Sequence, residues 1–268
     1  SSGREGTASF PRALVVAGEA SQVALVESFG SIGDGRAFTN AVTELVAGPA
    51  AVVDHYRLQR ESARGYHVGL TQIRVGRSAN VSSHNAALGG LIARHDAVVV
   101  LADEGAESTL DGVYLAGGQA LVDNHTEVDH VMPHGTSHEL YKGILGGRAR
   151  AVFNGRIRVR PDAQKTDAKQ TNKTLLLSNE AQINTKPQLE IFANDVKCTH
   201  GATVGQISAD ALFYLRARGI GLAEARRILV RAFAGEVIGR MKLEPVRELL
   251  DRLIAERLPD RPGEESLE

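Results

Sequence analysis

Up to about residue 206 the chain carries no stretch with sustained helical periodicity, and that limits its fold more than any other feature. In its place come short runs rich in β-formers: 13–16, 22–27, 66–75, 97–101, 112–115, 119–123, 148–153, 156–160, 174–177, 188–192 and 195–198. Several alternate with period two. In Arg156-Ile157-Arg158-Val159-Arg160 the arginines share one face and the apolar residues the other. Turn formers punctuate the runs, among them Asn80, Asp103, Gly117-Gly118, Asp123-Asn124, Gly146-Gly147, Asn154-Gly155 and Ser178-Asn179. Many strands with no helices between them leave a sandwich, a barrel and a β-solenoid open. Aromatic residues are 4% with no Trp, so a sandwich core built on large rings is disfavoured. Val, Leu, Ile and Ala suit stacked ladders, and the uneven spacing predicts a parallel β-helix with unequal coils.

The character changes at Ser208. Ser208 is placed to cap a helix through Leu212, Phe213 and Leu215 to Arg218, stopped by Gly219. Leu222, Ala225, Leu229, Ala232, Phe233 and Val237 predict a second helix ending near Met241. Pro245 opens a third, whose stripe is Val246, Leu249, Leu250, Leu253, Ile254 and Leu258. The expected organisation is a β-helix core over 1–206, a helical unit over 207–258 and a disordered tail over 259–268. Ser1-Ser2-Gly3 reads as the start of a processed or truncated product, and Leu267-Glu268 as an expression scar.

Charge and cysteine count exclude several functions. Thirty-one basic residues against thirty-two acidic ones give a net charge of -1, which offers no bulk field for nucleic acid or an anionic membrane. No apolar run reaches membrane-helix length, and no signal-peptide pattern opens the chain, which predicts a cytoplasmic protein. No phosphate loop is present, and Gly30, Gly33 and Gly35 have the wrong spacing for a dinucleotide fingerprint. The single cysteine cannot form an internal disulfide or a thiolate cluster.

That cysteine lies in Val196-Lys197-Cys198-Thr199-His200-Gly201-Ala202-Thr203. On an extended segment Cys198 and His200 share a face, and thiolate and imidazole both suit iron or zinc. The plainer reading, a small buried residue followed by a surface histidine, is the one the residues alone favour. Nucleophilic catalysis by the pair is disfavoured, because the two side chains project in parallel and no orienting carboxylate is evident. His125, His130, His134 and His138, interleaved with Asp123, Glu127 and Asp129, fit no period that would bring all four together. Structural roles around a corner are expected for them.

The stretch from Lys173 to Gly219 resembles the SufB/SufD family, the scaffold subunits of the Suf iron–sulfur cluster assembly system. The resemblance is carried by Leu175-Leu176-Leu177-Ser178, by Thr185-Lys186-Pro187-Gln188-Leu189-Glu190-Ile191, by Asp195 to Gly205 and by Leu212 to Ile220. Asp123-Asn124-His125-Thr126 to Tyr141-Lys142-Gly143 is also similar, and the whole likeness runs from about Ala13 to about Met241. His200-Gly201-Ala202-Thr203 in place of His-Glu-Ala-Thr, and Leu215 in place of a cysteine, favour the SufD branch.

The resemblance implies a right-handed parallel β-helix and a non-enzymatic scaffold. It implies pairing with a SufB-like paralogue through the β-helices, and a C-terminal helical unit that docks a SufC-like ATPase. A transient iron–sulfur cluster is expected at the subunit interface, with none tightly held by the isolated chain. The position matching the family's key histidine is His200, and Cys198 matches the neighbouring cysteine; both are the candidate metal-contacting groups. Phe213, Tyr214, Arg216 and Arg218 fall in the expected docking region. The N-terminal helical region of full-length members is missing from this sequence, so either a cleaved product or a core fragment is expected. Two alternatives remain: a β-helix enzyme acting on polysaccharide through the Asp123–Asp129 region, and a homodimeric core that binds no cluster alone.

Overall fold

The computed structural model describes residues 6–258. The tail expected over 259–268, and both termini read as processing marks, lie outside the described residues. The strands are β1 (Thr7–Ser9), β2 (Arg12–Ala17), β3 (Gln22–Gly30), β4 (Ala37–Ala47), β5 (Val52–Arg60), β6 (Tyr66–Val75), β7 (Asn80–Ala87) and β8 (Ile92–Leu101). They continue as β9 (Glu107–Ala116), β10 (Leu121–His130), β11 (Thr136–Leu145), β12 (Arg150–Val159), β13 (Asp167–Leu176), β14 (Gln182–Ile191) and β15 (Lys197–Gly205). Helices α1 (Ala209–Arg216), α2 (Leu222–Ile238) and α3 (Glu244–Arg257) follow.

From β3 onward the chain alternates between two sheets. Sheet A runs β1-β4-β6-β8-β10-β12-β14, with β2 also on β4, and sheet B runs β15-β13-β11-β9-β7-β5-β3. Every pairing between the described strands is parallel. This is the solenoid expected from the sequence. Successive partners in sheet B are Gln22, Val52, Asn80, Glu107, Thr136, Asp167 and Lys197, so the coils differ in length and the surplus is taken up at the corners.

Stacking in register turns each inward position into a ladder. Leu45, Ile73, Val99, Val128, Ile157 and Leu189 form one, and Ile73, Val99 and Ile157 have no exposed surface. Their branched side chains fill the space between the sheets at about 25 cal/mol per Å² of apolar surface buried. Beside the inward rings of Tyr114 and Tyr141 the neighbour on an adjacent coil is a glycine. A Cβ on Gly143 would lie 2.2 Å from the ring of Tyr114, and one on Gly112 would lie 2.3 Å from Tyr141.

The outer face of sheet B is covered by the helices. Tyr56, Leu58, Ala86, Val113, Leu115 and Ile144 pack against Val230, Ala234, Val237 and Ile238 of α2 and Val246, Leu250 and Ile254 of α3. Polar pairs pin the same seam. Arg240 meets the fully buried Asp111 at 3.0 Å, Lys242 donates to Asp54 at 2.9 Å, and the buried Lys142 donates to Phe233 O at 2.9 Å and ion-pairs with Glu236. Ser208 caps α1 by accepting from Ala211 N, and Gly219 turns with φ of 84°, as the sequence predicts.

Some of the expected turns are corrected. Asp123-Asn124 lies inside β10 and Asn154-Gly155 inside β12, while Asn80 begins β7. Asn124 points inward toward Asn85, 3.4 Å away, and Gly155 makes room for the Gln170 side chain; neither residue bends the chain. The sequence runs do not predict β1, β4, β5, β7 or β11.

Candidate functional site

Strand β15 is the last of sheet B and β14 the last of sheet A, so no described strand pairs with the outer edge of either. Their backbone donors and acceptors form an open end to the solenoid. Ile191 and Val204, at 41% and 48% exposure, add apolar surface there.

Cys198 and His200 both face inward on β15, paired in register with Ala168 and Gln170 of β13. Cys198 packs against the aliphatic core, and burial, helped by the Asp167 carboxylate, pushes its thiol above the ordinary value. His200 is one rung further along and exposed, because no coil stacks on it. The chain thus places one half-buried thiol and one open imidazole on the same face of its terminal strand. Among the described residues no group of three or more His, Cys, Asp or Glu converges to hold a metal ion.

Beneath His200 the interior turns polar. Gln170 is 1% exposed and Glu139 4%, and Gln170 Nε2 donates to Glu139 Oε2 at 2.7 Å. Burial pushes the Glu139 carboxyl up from 4.5 to about 7, against hydrogen bonds that favour its charge. The folded chain therefore holds a proton on Glu139 over a pH range where the unfolded chain does not. Its stability falls as pH rises from 4.5 to about 7, and the cost is complete above that. Glu139→Gln lacks this cost. Relative to wild type, its unfolding free energy is expected to rise between pH 5 and pH 8 by at most roughly 3 kcal/mol. Urea melts at the two pH values check this, and a pH-independent difference would contradict it.

The histidines between 125 and 138 do not converge. His130 is buried and its Nε2 bonds Ser137 Oγ at 2.9 Å, bridging the corner between β10 and β11, and burial lowers it to about 4. His125 pairs with Asp123 at 2.8 Å, and His134 occupies a left-handed corner with φ of 62°. The nearby carboxylates are held by arginines: Asp123 by Arg94, Glu127 by Arg156 and Asp129 by Arg160. A polysaccharide-cleaving acid–base pair has no free carboxylate in this set.

Phe213, Tyr214, Arg216 and Arg218 are brought together on α1 and the turn after it. Phe213 is 74% exposed and Tyr214 57%. The Arg218 guanidinium lies 3.4 Å over the Tyr214 ring. Between this helix, α2 and β15 runs a cleft of about 330 Å³ that includes Lys173, Val204, Ile207, Leu229 and Phe233. Glu139 and Gln170 were not singled out in the sequence. A carboxylate and an amide at inward positions of adjacent strands are the signal that finds them, and it needs the register to be known.

Comparison with known proteins decides the family. Residues 1–233 match the profile described as SUF system FeS cluster assembly, SufBD core domain. The chain belongs to the SufB/SufD family. It is 35% identical over 241 residues to the iron–sulfur cluster assembly protein SufD of Escherichia coli, covering 90% of this chain and 57% of that protein. It is 36% identical over 253 residues to an iron–sulfur cluster assembly SufBD family protein of Synechocystis, covering 91% and 56%. SufD of Bacillus subtilis is 27% identical over 266 residues, covering 94% and 58%. The chain therefore spans little more than half the length of these SufBD relatives. No helix among the described residues is long and apolar enough to cross a membrane.

Proposed function

We propose that this chain is the core of a cytoplasmic, non-catalytic SufD-type scaffold subunit for iron–sulfur cluster assembly. In this reading the open end of the solenoid pairs with a SufB-like partner, and the helical unit docks a SufC-like ATPase through the α1 surface around Phe213, Tyr214, Arg216 and Arg218. A transient iron–sulfur cluster is built as cargo at the shared end face, contacted by His200 with Cys198 beside it. The observation that carries the reading is the placement of His200 and Cys198 on one face of the last strand of sheet B, whose outer edge no described strand pairs. One thiol and one imidazole hold a cluster more weakly than four thiolates, which suits cargo that must leave, and the remaining ligands come from the partner.

Co-expression with SufB-like and SufC-like partners tests this. The expected outcome is a complex recovered on a tag carried by this chain, with the visible absorbance and sulfide of a bound cluster. Recovery of this chain only as a homodimer, with neither partner retained, would contradict the reading.

A further inference from the structure

The ladder that ends at His200 has its own polarity. Reading back along sheet B, the inward partner of His200 is Gln170, that of Gln170 is Glu139, and that of Glu139 is Leu110. Leu110 is 2% exposed and closes the run on the far side. The three polar rungs therefore lead from Leu110 to the open end of the solenoid. Room for them is provided across the interior, where a Cβ on Gly155 would lie 2.3 Å from Gln170 Nε2.

Hydrogen-bond logic fixes the middle rung. Glu139 Oε2 accepts from Gln170, so the amide turns its NH₂ toward the carboxyl. Its carbonyl oxygen must then point elsewhere, and Gln170 Oε1 is buried with no partner among the described residues. A buried amide oxygen seeks a donor. The next inward side chain is His200, one strand spacing of about 4.8 Å away. An imidazole offers one N–H in its neutral form, and the nitrogen that donates is fixed by the acceptor it meets.

We propose that Glu139 and Gln170 are positioning residues for His200. Glu139 orients the Gln170 amide, and the amide oxygen takes the proton-bearing ring nitrogen of His200, leaving the other nitrogen's lone pair directed to the open end. The inference rests on the reading of His200 as the cluster-contacting group. It adds to that reading the means by which a side chain on an uncovered strand presents one nitrogen rather than either.

Long-range proton–nitrogen spectra of the isolated full chain report the tautomer of His200 directly. One tautomer is expected to dominate in wild type. Gln170→Leu and Glu139→Leu are expected to mix the two, whereas Glu139→Gln, whose side-chain carbonyl still accepts from Gln170, keeps the wild-type spectrum. Circular dichroism establishes that each variant folds, and Gln170→Met serves if the leucine variant does not. In the co-expressed complex the two leucine variants are expected to lower cluster content about tenfold, the usual loss when the group that orients a metal-binding histidine is removed. An unchanged His200 tautomer in the folded Gln170 variant overturns the proposal, whatever the cluster content. If the tautomer responds as expected but His200→Ala leaves the cluster intact, the relay stands and the function reading fails.

Discussion

Co-expressed with SufB-like and SufC-like partners, the His200→Ala chain is expected to assemble normally yet retain at least about tenfold less iron and sulfide. His200 is exposed on a terminal strand, so its loss leaves no buried cavity. The variant is therefore expected to fold as the wild type does. What goes is the one imidazole that the end face presents. Size-exclusion chromatography with iron and sulfide determination separates the two effects. A complex of unchanged stoichiometry and unchanged cluster content would remove His200 from the mechanism. Cys198→Ala is the matching control: the thiol is half-buried against the core, and its replacement tests whether the neighbouring group contributes anything beyond packing.

The largest effect on stability is expected at Phe153. Its side chain is fully buried in the solenoid interior, 5.2 Å from the Tyr141 ring, on a rung between Asn124 and Thr185. Phe153→Ala removes the ring from walls held by two hydrogen-bonded sheets, which cannot close around the gap. The expected loss is about 4 kcal/mol, read as a lower urea midpoint at unchanged slope. Phe153→Leu is expected to recover about half of it. A loss under about 1 kcal/mol for the alanine variant would mean that the coils collapse freely, contrary to an interior packed rung on rung.

The helical unit was legible in the sequence to within a few residues because its helices keep one solvated face, so the 3.6-residue stripe survives. The same argument explains what was missed. Strands β5, β7 and β11 are buried on both sides, inward by the opposite sheet and outward by α2 and α3, and period two disappears. In β7 the run from Val81 to Ala87 is buried throughout, yet it includes Ser82, Ser83, His84 and Asn85. Polar residues there are tolerated because neighbours on adjacent coils satisfy them, as Ser83 does with His55 at 2.9 Å. Asn154-Gly155 misleads for a related reason: a glycine required by a bulky neighbour looks the same in sequence as one required by a turn. The placement of His200 and Cys198 on one face followed from period two alone. That the face is the inner one, and that Glu139 lies two rungs below, depends on pairings between residues about thirty positions apart, to which no local pattern gives access.

Helix α2 lies across the strands of sheet B. Leu229 and Phe233 line the cleft beside β15, Glu236 meets Lys142 and Lys173 of β11 and β13, and just beyond the helix Arg240 reaches Asp111 of β9 and Lys242 reaches Asp54 of β5. From β15 to β5 the stack rises about 24 Å; Leu229 to Ile238 spans about 14 Å at helical rise, and the residues from Gly239 to Lys242 with the lysine side chain cover the rest. The helix therefore acts as a gauge for the solenoid. Corner loops can lengthen without disturbing it, but a whole coil added or lost between these anchors would displace one end of the gauge by about three helical residues. Variation within this architecture is accordingly expected at the corners, while coil number and the length of α2 change together or not at all.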